Sequence, residues 1–168
     1  MSPRSSEQAF ELVELDGDHA KATAFNMLFM VWRRRTLAEA YGRGVQIARK
    51  MVAEFPEGIG ISQVVEVDAV PPDSEARTLF AYLSRLDGLN HLAVTHDGVG
   101  FKAAAVRAIM TGVQALARPK CKIIVLADVM TAARWHEAAQ AELGRREKAE
   151  QIAAIITDVR KLHRQRYP

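Results

Sequence analysis

The chain has a single cysteine, Cys121, among its 168 residues. One thiol cannot close an intrachain disulfide or build a cysteine zinc site, so neither staple holds this fold. Such usage fits a reducing compartment, and a cytoplasmic location is expected. Long apolar runs are missing as well. No stretch approaches the ~18 apolar residues of a membrane span, and residues 1–10 lack the apolar core of a signal peptide. Charge of one sign is also scarce, since 23 Lys and Arg against 20 Asp and Glu leave a net charge of +3. Nucleic-acid binding needs clustered cations rather than so small an excess, and it is not expected here. Aromatic residues make up only 7%, with none of the basic–aromatic interleaving of single-strand binders.

Motifs of catalysis and metal binding are absent too. The histidines are His19, His91, His96, His136 and His163, and no two stand four apart. There is no His-Glu-x-x-His, no Gly-x-Gly-x-x-Gly and no phosphate-loop Gly-Lys-Ser/Thr. No metal, cofactor or catalytic residue is therefore expected.

What remains is one ordinary domain, long enough to bury a sizeable core. Residues 11–17 alternate apolar and polar side chains and predict a half-exposed strand. Residues 16–25 look like a polar turn. Residues 26–32, NMLFMVW, predict a buried strand that either belongs to the plain core or walls a cavity. A helix follows, with Thr36 as N-cap and Glu39 three positions on. Residues 61–67, 91–97 and 122–128 predict three further strands. Helices follow them from Asp73 or Ser74, from near Phe101 and from near Thr131. A tail helix spans about 145–166. Its narrow seam of Ala149, Ile152, Ile156 and Val159 must pack on its own domain or on another chain. Residues 1–10 are expected to be flexible, 11–143 to form the domain and 144–168 a helical extension. Alternating strands and helices predict an α/β fold around a mostly parallel sheet with an antiparallel first strand.

This order, β-β-α-β-α-β-α-β-α, resembles the STAS fold of anti-sigma-factor antagonists, and most closely its SpoIIAA-like (STAS/SEC14-type) bacterial branch. The segments carrying the resemblance are MLFMVWRRRTLAEAY, VVEVDAVPPDSEAR, LAVTHDGVGFKAAAVRAIMTG and KIIVLADVMTAARWHEAA. The resemblance implies a non-enzymatic regulatory or scaffold module that binds another protein. In the antagonists, a kinase phosphorylates a serine at the start of the second helix, within Asp-Ser-Ser-Gly. This chain has Asp73-Ser74-Glu75-Ala76, which makes Ser74 the candidate regulatory hydroxyl. The SEC14-like side of the resemblance implies an alternative, a carrier or sensor of a small apolar or anionic ligand.

The residues suggest further candidates. His96, Asp97, Gly98 and Gly100 stand where a strand hands over to a helix, a position at which open α/β sheets bind ligands and helix N-termini attract anions. An acid/base role for His96 and Asp97 is the third and weakest possibility. Arg33, Arg34 and Arg35 are either a solvated turn or the rim of a protein-binding surface. With Ile152, Ile156 and Val159 they are the expected contacts to a protein partner or a second copy. Asp73 and Glu75 already supply the negative charge a helix start prefers, so Ser74 is expected to serve the helix start and to stay unmodified.

Overall fold

The structure, a computed structural model, describes residues 9–168. The chain begins with an antiparallel meander of β1 (Glu11–Leu15), β2 (His19–Ala24) and β3 (Met27–Trp32). Helices and strands then alternate: α1 (Ala38–Glu54), β4 (Ile59–Val65), α2 (Ser74–Leu83), β5 (Leu89–Thr95), α3 (Gly100–Ala117), β6 (Lys122–Leu126), α4 (Val129–Glu142) and α5 (Ala149–Arg166). β3 to β6 are parallel, and all six strands form one mixed sheet in chain order. Crossovers of one hand place α1, α2 and α3 on the same face. α4 and α5 cover the other.

The expected α/β class holds, with one strand more than the sequence pattern suggested. β2 occupies what looked like a polar turn. It pairs with both β1 and β3, so β1 does not pair with β3, and β2 is the strand that runs against the others. Its residues alternate strictly. Ala20, Ala22 and Ala24 face α5, while His19 and Lys21 face α1. Both faces are buried, and Lys21 is 0% exposed.

Alternation sorts the remaining strands into two cores. Leu28, Met30 and Trp32 of β3, Ile59 and Ile61 of β4, and Leu92 and Val94 of β5 pack under the first three helices. Met27, Phe29, Val31 and Val64 pack under α4 and α5. Ile152, Ile156 and Val159 lie in this second core at 0%, 1% and 0% exposure. Burying each such side chain stabilises by ~1.5–3 kcal/mol. The α5 seam is therefore closed by its own sheet and is not a partner surface. Residues 144–168 share the core of residues 11–143 rather than extending from it. Of the segment expected to be flexible, residues 1–8 lie outside the described residues, and Phe10 is buried in the α5 core.

Two helix starts separate cap chemistry from its absence. α1 begins one residue later than the Thr36 cap predicts. Leu37 takes the N-cap position with no side-chain bond, and Glu39 pairs with Arg43 at 3.1 Å. α2 begins as expected, with the Asp73 carboxylate accepting from the backbone N–H of Ala76 at 2.8 Å.

Candidate functional site

Because α1, α2 and α3 share one face, they border a partly open cavity where the parallel strands end. Trp32 closes β3, Gln63 and Val65 close β4, and Val94 comes from β5. Tyr41, Phe80 and Met110 wall it from the three helices, and Pro71 and Pro72 of the β4–α2 connection cover it. The volume is about 100 Å³. Carboxyl ends of parallel strands are where open α/β sheets hold ligands.

The lining is mainly apolar; its polar members are Thr36, Arg77 and one relay. The Trp32 indole N–H donates to Gln63 Oε1 at 3.2 Å, and Gln63 Nε2 donates to the Tyr41 hydroxyl at 2.6 Å. The Tyr41 ring stacks on Trp32 at 5.5 Å and 9°. Burial raises the Tyr41 hydroxyl's pKa far above that of an ordinary phenol, despite the Gln63 bond, so it stays neutral. Arg77 reaches the rim of the cavity and is exposed.

Behind Trp32 lies a charged cluster. Lys21 Nζ is 2.5 Å from Glu14 Oε2, 2.9 Å from His19 Nε2 and 5.5 Å from the centroid of the Trp32 ring. Burial lowers the Lys21 pKa, with Glu14 opposing the shift. Burial would raise Glu14, but the bonds from Arg43 and Lys21 outweigh it and bring it down to about 2. Glu14, Asp16 and His19 offer metal-ligand atoms within 4.8 Å of one another. Glu14 and His19 face the chain's own Lys21 ammonium, while Asp16 accepts from the backbone N–H groups of Asp18 and His19.

The residues singled out from sequence lie elsewhere. His96 is buried, and its Nδ1 donates to the Val65 carbonyl at 2.8 Å. Asp97 turns the other way and accepts from Arg160 Nη1 of α5 at 2.7 Å. The two are not an acid/base pair. The carbonyls of His96 and Gly98 both accept from Arg107 Nη1, at 3.1 and 3.0 Å, so the loop offers this cation acceptors rather than offering an anion donors. Gly100 opens α3 with φ 84°, a left-handed conformation that favours glycine. Arg160 also grips Glu66 with two bonds of 2.8 and 2.6 Å, and Arg164 reaches the same carboxylate at 3.1 Å. This network ties the ends of β4 and β5 to α5.

The three arginines after β3 are occupied as well. Arg33 and Arg34 donate to the carbonyls of Tyr167 and Pro168. Arg35 holds Asp18 through bonds of 3.0 and 2.8 Å. They bond the chain's own last turn and the β1–β2 turn, and Arg34 and Arg35 remain exposed. Ser74 is exposed on the first turn of α2, two and three residues ahead of the cavity-lining Ala76 and Arg77. Cys121 is half-buried, and burial pushes its thiol up to about 11, away from reactivity.

Sequence reasoning touched the cavity at one point only, the proposal that NMLFMVW walls a cavity. Trp32 alone of that strand lines it; the rest is core. Neither Tyr41 nor Gln63 stood out as a site residue in the sequence. The available signal was a glutamine inside a β-branched strand, where a buried amide needs partners.

No family model, curated protein or solved structure matches the chain. No helix among the described residues is long and apolar enough to cross a membrane.

Proposed function

We propose that this chain is a non-enzymatic regulatory module of STAS/SpoIIAA-like type whose working part is the cavity, a receptor for a small, mainly apolar ligand. The observation that carries this is the partly open, mainly apolar space at the carboxyl ends of β3, β4 and β5, floored by a hydrogen-bonded Trp32–Gln63–Tyr41 relay. Ligand sites are characteristically apolar concavities with a few fixed polar groups. The alternation of strands and helices after β3 supports the STAS likeness. A cytoplasmic location fits the lone, unreactive cysteine.

Xenon enters dry apolar cavities of comparable size, so it is a suitable probe. Amide spectra under xenon pressure should shift around Val94, Phe80 and Met110, and Val106→Phe should abolish the shifts by filling the space. Unchanged spectra in the wild type would defeat the receptor reading.

A second reading, binding between copies of this chain, is favoured by the contrast between the two sheet edges. β1 carries a register shift between Leu12 and Glu14 and two glutamates, all of which deter pairing. β6, Lys-Ile-Ile-Val-Leu, has an unbroken register with β5, no proline and no charge after Lys122. Beside it α3 exposes Ile109 at 56% and Leu116 at 83%. An antiparallel β6–β6 pair would match apolar residues about Ile124. Sedimentation should then show a dimer that Leu116→Glu weakens, with β6 amides gaining exchange protection as concentration rises. A monomer at all concentrations with unprotected β6 amides would exclude it.

A further inference from the structure

The relay beneath the cavity has a direction, and chemistry fixes it. An indole N–H only donates. Trp32 therefore requires the oxygen of the Gln63 amide, at 3.2 Å. That turns the amide nitrogen, also a pure donor, toward Tyr41 at 2.6 Å. The Tyr41 oxygen must accept, and its single hydrogen is left over. No acceptor among the described residues takes this hydrogen, and Tyr41 is only 3% exposed. Ionisation is no escape, since burial holds the phenol neutral. Tyr41 and Gln63 both line the cavity, so the cavity is the direction in which an acceptor is wanted.

We infer that the ligand is a neutral carbonyl compound with apolar flanks, its oxygen accepting from the Tyr41 hydroxyl. This rests on the receptor reading above and adds the ligand's chemistry to it. A carboxylate is disfavoured because the one cation among the described lining residues, Arg77, is exposed at the rim. Lys21 lies behind the Trp32 ring and is bound to Glu14. An ionised ligand would lose its hydration against one phenol, which costs far more than that bond returns. A pure hydrocarbon would leave the Tyr41 donor unmatched and desolvated. At about 100 Å³ the space takes a ring-sized group, comparable with the ~150 Å³ cavities that hold benzene.

The test compares cyclohexanone, its shape-matched hydrocarbon methylenecyclohexane and cyclohexanecarboxylate by amide-shift titration of the full chain and of Tyr41→Phe. Wild type should bind the ketone at least ~10-fold more tightly than the hydrocarbon, the equivalent of one hydrogen bond to an otherwise unmatched donor. In Tyr41→Phe, which keeps the ring that stacks on Trp32, that preference should vanish while hydrocarbon affinity stays. Equal affinities in wild type, or tightest binding by the carboxylate, overturn the inference and leave the receptor reading standing. Binding by none of the three, together with xenon exclusion, removes both. The wild-type ranking decides the matter even if the variant fails to fold.

Discussion

Acid should destabilise this protein well before its carboxylates protonate, because two histidines are sealed in the core. His91 on β5 and His136 on α4 are each 0% exposed, with ring centroids 5.1 Å apart. His91 Nε2 and both ring nitrogens of His136 lack a partner among the described residues. Burial lowers His91 from 6.5 to about 4; Lys122 adds to the shift and Glu142 opposes it. Burial, then the neighbouring His91, drives His136 down as well. Both folded pKa values are depressed, so their contribution is complete above pH 6.5. Below that, the unfolded chain takes up protons that the folded chain refuses, and stability falls with pH until about 4 for His91. A span of 6.5 to about 4 corresponds to ~3 kcal/mol lost from His91 alone, a large share of a typical domain's stability. Glu14 acts in a lower window, between 4.5 and about 2, so the two effects separate. Urea unfolding at steps from pH 7.5 to 4.5 should show a falling midpoint at constant slope. His136→Leu, which removes two unmatched nitrogens, should flatten that fall and leave neutral-pH stability equal or higher. A midpoint independent of pH over this range, or a His91 ring signal titrating above pH 6, would refute the argument.

Three further outcomes follow from the packing. Gly60→Ala drives a methyl into His91 Nε2 and to 2.6 Å from Cε1; thermal unfolding should show a loss of ~1–3 kcal/mol or more, since the ring is walled in by Trp135 and His136. Arg160→Met strands the buried Glu66 carboxylate with Arg164 alone and frees Asp97, and chemical denaturation should show a loss approaching ~3 kcal/mol. Asp73→Ala should cost ~0.5–2 kcal/mol through the lost α2 cap, whereas Ser74→Ala should stay within ~0.5 kcal/mol; mass spectrometry of cell-derived protein should find Ser74 unmodified, and stoichiometric phosphate there would reverse the helix-start assignment.

Most elements were legible because their patterns are local. β3 to β6 are apolar runs, α1 and α2 carry 3.6-period faces, and Asp73 announces the start of α2. β2 was not legible. His-Ala-Lys-Ala-Thr-Ala alternates as a strand should, but alanine is a poor strand former and the other face is polar. The small alanines make sense only when α5 lies on them, and the lysine only when Glu14 of β1 arrives to pair with it. The arginines of α5 and the Trp-Arg-Arg-Arg turn likewise found partners far away in sequence, Glu66 and Asp97 in one case and the chain's last turn in the other.

The α/β class, the alternation after β3 and the absence of catalytic or metal motifs were all set by residue order, because periodicity and motif spacing act over a few positions. The cavity, the direction of its hydrogen-bond relay and the burial of α5 came from folding. Each depends on contacts between residues 22 to 147 positions apart, and no short window of sequence encodes which of many polar groups will meet.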